Sequence, residues 1–208
     1  MKKILTIVAA IFIMAGSASA QGGSFYLGFA GFNPFAVLSS GGGSSILFFM
    51  ASEGMAPRTG VTYLKDGDKS TLVLGLAPEF GYFISDRFAV GLGAGFNYIS
   101  NKEEGHDSNN AIVWGVNPYA RFYPVKIDRF GLYLQLGLNY LSMKPEGEDA
   151  QYMFSVGLTP GISYYVSERV AIHAVFGFLG YSHYGESQDA FGFNLDGTTI
   201  MFGLTFGL

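Results

Sequence analysis

Among the polar residues of this chain, Glu79, Arg121, Gln135 and His173 are the ones whose types could combine charge, hydrogen bonding and proton transfer at one place. A carboxylate, a guanidinium, an amide and an imidazole could form a buried ion pair or an acid–base relay, if the fold brings them together. Other candidates are sparse. Histidine otherwise occurs only as His106 and His183. His106 lies in NKEEGHDSNN, a polar stretch that reads as a solvated loop and not as a metal site. Ser182-His183 offers a nucleophile and a base, with Glu186 and Asp189 the acids nearby. The absence of cysteine excludes disulfides, thiolate metal ligands and a cysteine nucleophile. The chain is therefore read as non-enzymatic, without cofactor or metal.

The elements that must position these residues announce themselves by alternation. In PEFGYFISDRFAVGLGAGFNYIS, Pro78, Phe80, Tyr82 and Ile84 share one face of an extended chain, with Glu79, Gly81 and Phe83 on the other. After Ser85-Asp86-Arg87, Phe88, Val90, Leu92, Ala94, Phe96 and Tyr98 alternate with Ala89, Gly91, Gly93, Gly95 and Asn97. Period two is the signature of a strand. The same hairpin plan returns around a turn at Val125 to Arg129 and again around Ser167-Glu168-Arg169, so the chain is internally repetitive. Phe25 to Ala30 and the C-terminal TIMFGLTFGL add a strand at each end, eight in all.

Composition decides what surrounds those strands. Only 13% of residues are charged, against about 25% in a soluble domain. The face opposite the large apolar one carries Gly, Ala, Ser, Thr, Asn and Tyr, too small and mild for a water-facing exterior. Turning the sheet over resolves this: the apolar face meets lipid and the small polar face fills a narrow interior. Backbone in lipid tolerates no open edge, so the sheet must close. The fold expected is all-β, an eight-stranded antiparallel up-and-down transmembrane β-barrel. Tyr82, Tyr98, Trp114, Tyr140 and Tyr164 then fall in interfacial belts. Residues 1–20, with Lys2-Lys3, an apolar run and Ala18-Ser19-Ala20, read as a signal peptide, leaving 21–208 as one barrel domain. Without that segment the net charge falls from −4 to −6, which argues against nucleic acid as a partner.

Counting from the short turns, Glu79, Arg121, Gln135 and His173 all point inward at similar depth, beside Gly91, Gly93 and Gly95 of the strand between Glu79 and Arg121. The expectation is a Glu79–Arg121 pair completed by Gln135 and His173, a structural polar plug. A barrel of eight strands is just wide enough for its side chains to fill. That favours a structural or surface-interaction role through the longer loops over the alternative, a narrow channel for small solutes. Short turns belong on the periplasmic side, with both termini. Asp66-Gly67 reads as the tip of a hairpin prolonging the wall beyond the membrane. In the first long loop, Ile46, Leu47, Phe48, Phe49 and Met50 form an apolar run that packs on the rim, fills the mouth, or meets an extracellular partner. A ten-stranded topology would make that run a membrane strand.

The PEFGYFISDRFAVGLGAGFNY hairpin, the NPYARFY strand, the LTPGISYYVSERVAI hairpin and the alternating C-terminus resemble the outer-membrane protein beta-barrel domain family, small porin-like barrels of OmpX and OmpA architecture. The resemblance spans nearly all of residues 22 to 208 and implies a Gram-negative outer-membrane location without implying an activity. It also implies contact with outer-membrane lipid and lipopolysaccharide and with the barrel assembly machinery. Barrels of that family usually end in an aromatic residue; here Leu208 is last and Phe206 stands two before it.

Overall fold

Alternating side chains leave the backbone extended, and the computed structural model shows where each strand finds its partners. It describes residues 24–32, 59–103, 105, 108–185, 188–194 and 200–208. The signal segment, the 46–50 run, His106 and Glu186 lie outside these residues. The strands are β1 (Phe25–Phe32), β2 (Gly60–Asp66), β3 (Lys69–Leu76), β4 (Pro78–Ser85), β5 (Phe88–Glu103), β6 (Asn109–Ile127), β7 (Phe130–Pro145), β8 (Gln151–Tyr165), β9 (Val170–Val175), β10 (Phe178–Tyr184), β11 (Gln188–Asn194) and β12 (Met201–Gly207).

They close an all-β, eight-stranded antiparallel barrel. Near the short turns the ring runs β1, β4, β5, β6, β7, β8, β9 and β12, and β12 pairs back onto β1. Two walls are broken into segments. β3 continues β4 along β5, the break falling at Ala77, whose N–H donates to Thr59 Oγ1, just before Pro78. β10 continues β9 along β8, with a bulge at Phe176-Gly177 facing Pro160. Proline has no N–H to give a ladder, which is why bulges collect beside it; Gly177 takes the positive φ of 75° that the kink requires.

Two details differ from the sequence reading and a third agrees with it. The turn between β6 and β7 is only Asp128-Arg129, because β6 bulges around Pro124 and then runs on to Ile127; Asp128 adopts a φ of 48°, tolerated by aspartate. The last long connection is not only loop, since it carries β11 against β10. At the long-loop end β2 pairs with β3, as the Asp66-Gly67 signal indicates, and the wall there is extended by β2 and β11.

Between the two ends of the barrel most of the large apolar residues face out. Phe25, Phe80, Tyr82, Phe88, Phe122, Phe130 and Tyr164 ring the short-turn end, while Tyr98, Trp114, Tyr140 and Tyr152 ring the other. Trp114 and Tyr140 lie 5.6 Å apart, and Tyr140 and Tyr152 6.0 Å. Phe130 and Tyr140 are ten residues apart on β7. At ~3.3 Å per residue and the usual tilt, that separates the two belts by roughly 25 Å, the height of a membrane barrel's apolar band.

Candidate functional site

Inward residues stack in tiers. At the short-turn end Lys126 Nζ donates to the Asp86 carbonyl at 2.8 Å and sits 5.6 to 5.9 Å from the Phe83, Tyr123 and Tyr165 rings.

The next tier holds the charged group. Glu79 on β4 and Arg121 on β6 are almost wholly buried and meet at 2.8 Å, Arg121 Nη2 donating to Glu79 Oε2. Arg121 Nε donates to Gln135 Oε1 of β7 at 2.6 Å. His173 on β9 places Nε2 4.0 Å from Glu79 Oε1, a contact too long for a hydrogen bond. The structure thus brings all four of these residues together, reaching over Ala89, Gly91 and Gly93 of β5.

Tyrosines complete the tier, and sequence reasoning missed them. The Arg121 guanidinium lies 4.5 Å from the Tyr119 ring centre, 5.2 Å from Tyr133 and 5.8 Å from Tyr26. The Tyr26 and Tyr119 hydroxyls are hydrogen-bonded at 2.9 Å. Each ring lies over a glycine on a neighbouring strand: Tyr26 over Gly81, Tyr119 over Gly91, Tyr133 over Gly161. The signal was there in the sequence, since a tyrosine on the small-residue face opposite a glycine has space to lie across the barrel. A Cβ at Gly81 would overlap the Tyr26 ring, itself held by Tyr119 and packed 5.3 Å from Phe83. Gly81→Val is therefore expected to destabilise the barrel by about 1–3 kcal/mol, measured as a lower urea midpoint, while Gly60→Ala, with open space around it, changes nothing.

Above this, Asn117 Nδ2 donates to Asn139 Oδ1 at 2.5 Å and Asn139 Nδ2 to Ser155 Oγ at 3.0 Å. The uppermost tier is apolar: Ile99, Val113, Leu141 and Met153 pack together, with Val73, Ala111, Met143 and Tyr184 around them. A cavity of about 30 Å³ opens near the short-turn end, lined by Tyr26, Arg121, Tyr123, Ser163, Tyr165 and His173 among others. It has room for water and none for a substrate.

The Ser182-His183 pair dissolves on inspection. Ser182 stands opposite Ser155 and faces inward, His183 stands opposite Phe154 and faces out. Adjacent residues of a strand point to opposite sides, so this serine and this histidine cannot act as nucleophile and base. His183 Nδ1 instead lies 2.7 Å from Asp189 Oδ1.

No family model matches the chain, and no curated protein matches it. Among solved structures the chain is similar to OmpT, an outer membrane protein of Vibrio cholerae, folded in vitro and in trimer form. The match covers 73% of this chain and 48% of that one, at 13% identity and a TM-score of 0.31.

Proposed function

We propose that the protein is an integral outer-membrane barrel, closed to solutes, that works as a structural or surface-interaction protein through its long-loop end. The observation that carries this reading is the inversion of polarity: apolar side chains cover the outside between two aromatic belts while the ion pair and its tyrosines are inside. Only lipid makes that arrangement favourable. Short turns then face the periplasm, and Ser24 and Leu208, tied near each other by the Leu208 N–H to Phe25 carbonyl bond, lie on that side. The OmpX and OmpA resemblance fits this placement.

Filling argues against a pore. Ions crossing the barrel would have to pass the Lys126 tier, the Arg121 tier and the apolar layer of Ile99, Val113, Leu141 and Met153, and an apolar constriction is itself a barrier to ions. Reconstituted in a planar bilayer, the mature protein is expected to give no steps of current. Steady single-channel conductance would replace this reading with the narrow-channel one.

A further inference from the structure

One polar atom of the charged tier stands apart from its network. His173 is 5% exposed, and its ring turns Nε2 toward Glu79 Oε1 while the same edge lies over Gly203 of β12. A carboxylate only accepts, so Nε2 carries the ring proton and Nδ1 is an acceptor. Among the described residues no group donates to Nδ1. Leaving a buried acceptor without a donor is costly, which is why such atoms are nearly always paired, with protein or with water.

The cavity at the short-turn end supplies the room. His173 and Ser163 both line it. They stand opposite each other on β9 and β8 and so share the inner face. Ser163 is buried, and its hydroxyl makes only a long bond, to the Gly131 carbonyl at 3.4 Å. Tyr123, Tyr165 and Thr205 bring further hydroxyls to the lining. One water requires roughly 10–15 Å³ and two to four polar partners, so the 30 Å³ of this cavity takes about two.

Charged occupants fit this space less well. The Arg121 guanidinium is already engaged by Glu79 and Gln135, which weakens its hold on an anion, and its own charge opposes a metal ion. A neutral molecule that can donate to Nδ1 and fit the volume is water. The apolar layer of Ile99, Val113, Leu141 and Met153 lies on the other side of the charged tier, so water reaches the imidazole from the short-turn end. We infer that the cavity is a hydration site for about two waters, one of them donating to His173 Nδ1 and bonded to Ser163 Oγ. This water joins β8 to β9 across the interior and gives the charged tier its contact with solvent.

The test uses the mature chain refolded in detergent with isotope-labelled histidine, water contacts being read by nuclear Overhauser spectroscopy. In the parent, the His173 ring is expected to show cross-peaks to long-lived water. Ser163→Val removes the hydroxyl and puts methyl groups in the water's place, so it should abolish those cross-peaks and shift the Nδ1 resonance. Val61→Ala, at an exposed position of β2, should alter neither. A parent ring with no water contact overturns the site, and so do cross-peaks that persist unchanged in Ser163→Val. If that variant does not refold, the parent spectrum alone decides. The site stands apart from the outer-membrane reading: a parent that fails to insert into lipid vesicles sinks that reading and leaves the water in place.

Discussion

Arg121→Met is expected to destabilise the barrel by about 3–5 kcal/mol, the cost of leaving one charge of a buried pair without its partner. Glu79 is 4% exposed, and besides Arg121 it has, among the described residues, only neutral hydrogen bonding from Tyr119 close by, with the His173 imidazole 4.0 Å away. With the guanidinium gone, the carboxylate must stay charged in the barrel interior without its cation or take up a proton. Arg121 also supplies positive charge to three tyrosine rings, each such contact worth about 0.5–2 kcal/mol. The double variant Glu79→Gln with Arg121→Met removes both charges together and separates the two effects. It should recover most of the charge penalty and none of the ring contribution. Urea midpoints of parent, singles and double, followed by the heat-sensitive gel mobility of the folded barrel, give the answer. A double variant as unstable as Arg121→Met would mean that ring contacts, and not pairing, hold this tier.

The second large effect belongs to the outside. Leu136 sits on β7 between the two belts and is 49% exposed. On the surface of a water-soluble sheet, an exposed Leu→Arg change is worth within about ±0.5 kcal/mol. Facing the middle of a bilayer it costs about 2–4 kcal/mol, falling to ~0–1 near the interface. In lipid vesicles, Leu136→Arg should therefore lose several times more stability than Ile127→Arg, whose position adjoins the β6–β7 turn. Equal and small losses at both positions would place water, not lipid, around the barrel.

Much of this was legible in the sequence because period-two patterning fixes which face each side chain takes. Glu79, Arg121, Gln135 and His173 could be placed inside by counting from short turns, and the structure finds them within one cluster. What the pattern could not supply was reach. Whether a tyrosine on the small-residue face lies across the barrel depends on which glycine the register sets beside it, and register is a property of two strands, not one. The same limit hid β11: Asp189, Phe191 and Phe193 alternate over too short a run to stand out, and only pairing with β10 makes them a strand. Pro124 and Pro160 carried a local signal for bulges that alternation alone passes over. Ser182 and His183, neighbours along the chain and set aside as a catalytic pair in the sequence, are parted by the pleat of β10.

Closure of the ring has a consequence in time. β12 pairs with β1 over Tyr26↔Gly207 to Phe32↔Phe202, residues up to 181 positions apart. The other walls of the ring join residues no more than 57 positions apart, the widest being Phe25↔Tyr82 of β1 and β4, so each can form well before the chain is complete. This one must wait until the final strand has been made, and bringing such distant segments together is slow compared with hairpin formation. During that wait β1 and β12 each present an unpaired edge, and the apolar outer face of the intervening sheet has no lipid to cover it. With no cysteine in the sequence, no disulfide staples the early hairpins during that interval. The rate of β1–β12 docking, more than the strength of any single contact, then sets how much of the protein reaches its closed form.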